Sequence, residues 1–151
     1  MTLADMLSGD LNESLKAGNS IKSSVIRLLK SAIKYREIEK KSPLSDDEII
    51  EVIMSGIKQR RDSIDLFSKG GRNYLVEKEI AEIGILQAYL PKPLTDEELA
   101  GEVKAVMKEV GATSVKDMGR VMKALMPRVK GRAEGTKVSS IVKELMDAAA
   151  H

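Results

Sequence analysis

The chain has 151 residues, of which 42% are hydrophobic and 32% are charged, and its formal net charge is +2. These values are typical of a soluble globular protein, and the length allows one or two small domains. No cysteine is present, which excludes disulfides, thiolate nucleophiles and cysteine-based metal sites. Without a signal-like segment at Met1 or an apolar run long enough to span a membrane, we expect a cytoplasmic protein.

The first part of the chain predicts four helices, because its apolar residues recur at helical spacing and short breaks separate them. Thr2 is placed to cap the first helix, and Ser45 with Glu48 forms a capping box at the start of the third. The breaks are Gly18-Asn19, Ser42-Pro43 and Gly70-Gly71. The predicted helices cover about residues 2–17, 20–40, 45–69 and 72–90.

Several helices carry apolar stripes that we expect to face a core. The stripe of the second helix comprises Ile21, Val25, Leu28, Leu29, Ala32 and Ile33. The stripe of the fourth helix comprises Leu75, Val76, Ile80, Ile83, Leu86 and Leu90. A charged run on that helix, Glu77-Lys78-Glu79 with Glu82, is predicted to be a solvated face. Met118, Met122 and Met126 are predicted core residues of a later helix rather than a partner-binding groove.

The remainder of the chain predicts three more helices after a short stiff linker, Pro91-Lys92-Pro93. Thr95 with Glu98 forms a second capping box. The predicted helices cover about residues 95–110 and 114–127, and a last helix begins at Glu134 or Thr136 and ends near Ala149. No run of β-branched and aromatic residues alternates as a strand would. We therefore predict an all-α protein, with an N-terminal domain of about four helices (1–92) and a small C-terminal three-helix domain (94–151).

The residue inventory favours a chain without a catalytic centre of its own. The single histidine is His151, the last residue, where we expect disorder, so no histidine base and no Ser-His-Asp triad can be built. Neither a phosphate-binding P-loop nor a nucleophile elbow is present. The acidic clusters at 46–48 and 96–98 lie in first helical turns, where capping explains them. We predict no catalytic residue, no metal and no cofactor.

The best candidate for a binding site is the basic stretch between Arg120 and Lys137. It holds six basic residues and one acid, Glu134, so the net charge of the stretch is +5, compared with +2 for the whole chain. We call this net charge the local balance. The basic residues are Arg120, Lys123, Arg128, Lys130, Arg132 and Lys137. Gly131 and Gly135 permit a positive φ or a close approach to a partner. A polyanion partner fits this pattern, and so does a solvated helix face followed by a glycine-rich turn.

A second basic cluster lies on the third predicted helix and just after it. Its members are Lys58, Arg60, Arg61 and Arg72. Contact with phosphate, a polar contact between the two domains, and salt bridges to neighbouring helices are three interpretations of this cluster. The predicted salt-bridge partners are Asp62, Asp65 and Glu77.

Several motifs of the chain resemble those of the GatB/YqeY family, and they occur in the family's order. Asp117, Gly119 and Met122 fit an Asp-x-Gly-x-x-Met helix start. Residues 129–135 fit a Val-Lys-Gly-(Arg/Lys)-Ala-(Asp/Glu)-Gly loop. The segments that resemble the N-terminal half of free-standing YqeY proteins are 58–63, 71–72 and 89–94. The resemblance therefore covers nearly the whole chain.

This resemblance implies a connection to tRNA. In the family, the C-terminal module is the tail of the B subunit of the tRNA-dependent Asp/Glu amidotransferase, where it helps to hold tRNA. The family label is carbon–nitrogen ligase activity with glutamine as amido donor, but this chain resembles neither the amidase nor the cradle domain that run that reaction. We expect a non-catalytic tRNA-associated accessory module whose tRNA-binding residues are the six cations with Gly131 and Gly135. The alternatives are a protein-interaction module that docks on an aminoacyl-tRNA synthetase or an amidotransferase complex, and an independent enzyme.

Overall fold

A computed structural model gives the fold, and it describes residues 1–149. Within these residues the regular secondary structure is entirely helical, which confirms the all-α prediction. The helices are α1 (Leu3–Lys16), α2 (Ser20–Lys40), α3 (Asp46–Lys69), α4 (Asn73–Gln87), α5 (Asp96–Val110), α6 (Met118–Val129) and α7 (Gly135–Ala149), with a short 3-10 turn at Val115–Asp117. In this described part, no helix is both long and apolar enough to cross a membrane. His151 lies outside the described residues.

Side-chain caps start three of the helices at the predicted residues. Thr2, Ser45 and Thr95 each accept a hydrogen bond from the backbone N–H three residues further on. In each case an acid at the third helical position accepts a bond from the N–H of the cap residue. These reciprocal bonds satisfy backbone donors that the start of a helix leaves unpaired.

The chain divides into two compact units, Met1–Leu90 and a second that begins at Pro91. The domain limits of 1–92 and 94–151 stay a prediction. The first unit comprises α1 to α4, and α3 with α4 forms its most extensive helix pair. All four helices contribute to one core. Its buried members are Leu7, Val25, Ile26, Leu29, Ile33, Ile49, Val52, Ile53, Ile57, Ile83, Leu86 and Tyr89.

Packing in the first unit buries only part of the predicted stripe of α2, since Val25, Leu29 and Ile33 are core residues as predicted. Ile21 and Leu28 are exposed, and Ile26 is fully buried instead. Ile80 of α4 is likewise exposed. Both helices carry apolar residues on more than one side, so periodicity alone permits two orientations. For α2, the contacts with α1, α3 and α4 select one of them.

In the second unit, α5, α6 and α7 surround a single core. The buried members are Leu94, Leu99, Val103, Val106, Val121, Leu125, Val129, Val138, Val142 and Met146. Met118, Met122 and Met126 pack half-buried at the edge of this core, which confirms their prediction as core residues. Helix α6 continues for two residues past Pro127, because the φ of proline suits a helix, and the last of these residues, Val129, is buried.

Candidate nucleic-acid interface

The basic stretch folds into the body of α6, a tight turn and the start of α7. Gly131 is buried and has a φ of +75°, a left-handed conformation that favours glycine. The N–H of Leu94 donates to the carbonyl of Arg132 at 2.8 Å. The Nε of Arg132 donates to the carbonyl of Lys92 at 3.0 Å. These two bonds fix the turn against the segment that precedes α5.

Arg128 ties α6 to α5. Its Nη1 donates to both carboxylate oxygens of Glu109 at 3.1 Å, and its Nη2 lies 3.0 Å from a carboxylate oxygen of Glu102. The two glutamates are seven residues apart and therefore lie on the same side of α5. Arg128 is thus engaged inside the unit, and a phosphate would have to displace two carboxylates to bind it.

Asp117 organises the turn between α5 and α6. Its carboxylate accepts hydrogen bonds from the N–H of Thr113 at 2.9 Å, the N–H of Ser114 at 3.4 Å and Nη2 of Arg120 at 2.6 Å. These donors, the N–H of Thr113 first among them, lower the pKa of Asp117 to about 2. Arg120 also donates through Nη1 to the carbonyl of Val110 at 3.0 Å, so its side chain covers the end of α5.

The remaining members of the stretch lie nearer to solvent. Lys123 is exposed, and its side chain makes no hydrogen bond or ion pair with any other residue of the described part. The Nζ of Lys137 lies 2.5 Å from Asp96, in a largely exposed pair of the kind that contributes little to stability. Lys130 is half-buried. Gly135 begins α7, and a Cβ added there would meet no atom within 4 Å, so a partner has room to approach.

Tertiary structure offsets most of the positive charge of the linear stretch. Three of the six cations, Arg120, Arg128 and Lys137, contact four carboxylates from outside the stretch, those of Asp96, Glu102, Glu109 and Asp117. With Glu134, five acids accompany six cations, so the local balance is +1 rather than +5. A count of charges along the stretch does not include these carboxylates, because three of the four come from α5. The spacing of Glu102 and Glu109 by seven residues is a signal that pointed to them.

The second basic cluster is divided between the interior and the surface. The side chains of Arg60 and Glu82 are 15% and 11% exposed, and Arg60 Nη2 donates to Glu82 at 3.4 Å. Arg60 Nη1 donates to the carbonyl of Gly56 at 3.1 Å, and its Nε lies 4.0 Å from Glu79. The prediction of a solvated face on α4 is therefore wrong for Glu79 and Glu82. The guanidinium of Arg60, on α3, contacts both carboxylates and compensates their removal from solvent.

The other members of this cluster are at the surface. Lys58 Nζ lies 3.4 Å from Asp62 in an exposed ion pair one helical turn apart, with one of the predicted partners. Arg61 and Arg72 are exposed as well. Phosphate contact by this cluster stays a prediction, and it now depends on Lys58, Arg61 and Arg72.

Comparison with known proteins gives matches over most of the chain. The family model described as "Yqey-like protein" matches residues 4–146. Altered inheritance of mitochondria protein 41, mitochondrial, from Eremothecium gossypii is 36% identical over 110 residues, covering 71% of this chain and 60% of that protein. The protein of the same name from Saccharomyces cerevisiae is 30% identical over 142 residues, covering 93% of this chain and 66% of the yeast protein. The chain thus spans about three fifths to two thirds of the length of these curated relatives.

These matches test two expectations from the sequence. The expectation of a cytoplasmic location is contradicted, because the relatives are named as mitochondrial proteins. It was based on the absence of a recognisable targeting segment, and such an absence does not identify a compartment. The expectation of a YqeY relationship is confirmed by the match over residues 4–146. The chain belongs to the YqeY-like family.

Proposed function

We propose that the second unit is a non-catalytic tRNA-associated module that holds the phosphate backbone of tRNA. Three cations of the basic stretch would make the contacts: Lys123, Lys130 and Lys137. The observation that supports this proposal most is the fixed turn at Gly131, which is anchored through the carbonyls of Lys92 and Arg132. A turn that is ordered before binding loses little conformational entropy when a partner arrives.

The geometry also divides the stretch into two groups of cations. Arg120, Arg128 and Arg132 are engaged by carboxylates or backbone carbonyls of the same unit, so we assign them to holding the unit together. Lys123 and Lys137 are exposed, and the surface pair of Lys137 with Asp96 exchanges for a phosphate at small cost. Lysine recognises phosphate as a point charge, without the bidentate geometry of arginine.

Recognition of this kind follows the shape and phosphate positions of RNA rather than its bases. The four aromatic residues of the chain are Tyr35, Phe67, Tyr74 and Tyr89, all of which precede Pro91. Between Pro91 and Ala149 the second unit therefore has no aromatic side chain on which an unpaired base could stack. We expect binding with little sequence preference.

The test is tRNA binding by the purified protein at two salt concentrations. Three phosphate contacts predict that the affinity falls roughly 40-fold between 50 and 200 mM salt, because each contact releases condensed counterions. An RNA duplex of the same length serves as a comparison for shape recognition. Absence of tRNA binding at 50 mM salt would refute the proposal.

The second candidate function is a protein-interaction module that docks on an aminoacyl-tRNA synthetase or an amidotransferase component. The observation in its favour is the local balance of +1, which leaves a mixed surface of cations and carboxylates around the turn. Mixed charge of both signs is suited to pairing with another protein surface. Affinity capture with and without nuclease separates the two functions, since a protein partner stays bound after the RNA is digested.

A further inference from the structure

Helix α2 has two apolar faces, and the first unit buries one of them. The buried face comprises Val25, Ile26, Leu29 and Ile33. On the outer face four large side chains are between 50% and 67% exposed: Ile21, Leu28, Tyr35 and Ile38. Among the described residues, no other helix exposes more than two large hydrophobic side chains. A helix with apolar residues on opposite sides is typical of one that is covered on both sides.

The outer face follows a heptad repeat along nearly the whole helix. Its a positions are Ile21, Leu28 and Tyr35, and its d positions are Ser24, Ser31 and Ile38. All six are exposed. Large a residues that alternate with the small d residues Ser24 and Ser31 form knobs separated by hollows, the surface that a second helix fills in a coiled coil. The seam from Ile21 to Ile38 covers about 26 Å of helix at 1.5 Å per residue.

Cations line one edge of this seam. Arg27 and Lys34 occupy the two g positions beside it and are exposed, and α2 has no acidic residue before Glu37. In coiled coils the charges at e and g select the partner, because they lie opposite the e and g residues of the facing helix. We propose that the outer face of α2 docks an amphipathic helix of a partner protein whose apolar seam is flanked by Asp or Glu.

Two other occupants fit this face less well. A second copy of α2 in antiparallel orientation would place Arg27 and Lys34 of one copy against Lys34 and Arg27 of the other, and like charges in those positions repel. An anionic bilayer would have to cover the hydroxyls of Ser24 and Ser31 with acyl chains, because both lie along the crest of the face. A facing helix leaves room for these hydroxyls in its grooves.

The experiment uses the full chain and two synthetic three-heptad peptides with Leu at a and d. One carries Glu at every e and g position, and the other carries Lys. Like charges prevent either peptide from pairing with itself. We expect the acidic peptide to bind, and Leu28→Ser to weaken it roughly tenfold to hundredfold because a large apolar contact is lost. We expect Arg27→Glu/Lys34→Glu to transfer the preference to the Lys peptide, a reversal that loss of structure cannot produce.

The matched control is Lys16→Glu/Lys69→Glu, which changes the net charge equally at exposed sites on α1 and α3. It should leave the affinity for the acidic peptide within about twofold, since screened charges far from the seam contribute little. The proposal is overturned if neither peptide binds, or if both bind equally. It is also overturned if phosphatidylserine vesicles bind through Leu28 while the peptides do not, or if the chain forms a dimer that Leu28→Ser dissociates.

Discussion

Replacing Arg60 with methionine tests whether this cation belongs to the fold or to a binding surface. Methionine keeps much of the apolar stem but removes the charge from a site where the side chain of Arg60 is 15% exposed. Glu82 and Glu79 would then face each other with no cation between them. Breaking a buried ion pair in this way typically costs 3–5 kcal/mol. Because the distances here are 3.4 and 4.0 Å, we expect the lower end, about 3 kcal/mol.

Tyrosine fluorescence during thermal unfolding is the appropriate assay, because all three tyrosines of the chain lie in the first unit. A loss of about 3 kcal/mol in a unit of this size predicts that its melting temperature falls by roughly 12–24 °C. The control is Lys58→Met on the same helix, whose pair with Asp62 is exposed. It should change the free energy of unfolding by less than about 0.5 kcal/mol.

Replacing both members of the pair separates charge burial from packing. Arg60→Met/Glu82→Met leaves one carboxylate, that of Glu79, in place of two, so the double variant should be more stable than Arg60→Met alone. If Arg60→Met melts within about 2 °C of Lys58→Met, the ion pair does not stabilise the unit and the reasoning is refuted.

Three further changes probe the second unit. Asp117 has a folded pKa of about 2 against an ordinary value of 3.8, so its stabilising contribution is complete above about pH 4 and is lost as the pH falls towards 2. Circular dichroism melts should show wild type and Asp117→Asn converging over that range, and a constant difference would contradict this. Gly131→Ala should cost about 1–2 kcal/mol in urea unfolding because of its positive φ, whereas Gly119→Ala, on an open helix face, should be neutral or stabilising. Leu125→Ala should cost about 2–5 kcal/mol by opening a cavity, and a smaller loss in urea unfolding would show that the core relaxes around it.

The elements of the fold could be predicted from the sequence because their signals are local. A capping box such as Ser45 with Glu48 joins groups three residues apart, and nothing distant is needed to form it. Which side of a helix is buried is decided by its neighbours. On α2 both Ile26 and Leu28 are apolar, and contact with the other helices buries the first and exposes the second.

The candidate site was less predictable, because the net charge around it depends on which acids the tertiary structure brings beside the cations. The count of six cations along the stretch was visible in the sequence, as were Gly131 and its motif. The position of Glu102 and Glu109 opposite Arg128 depends on how α5 packs beside α6. In the same way, the burial of Glu82 depends on its contact with Arg60, twenty-two residues earlier in the chain.

The most direct test of the proposed function compares two charge-reversed variants in tRNA binding across a salt series. Lys123→Glu/Lys137→Glu alters the proposed interface, and Lys104→Glu/Lys143→Glu makes the same charge change at other exposed lysines of the second unit. A plot of log affinity against log salt concentration has a negative slope, and each phosphate contact that is lost reduces the size of this slope by about 1. We predict a decrease of about 2 for the first variant and almost none for the second. Equal effects of the two variants, or none from either, would contradict the proposed interface.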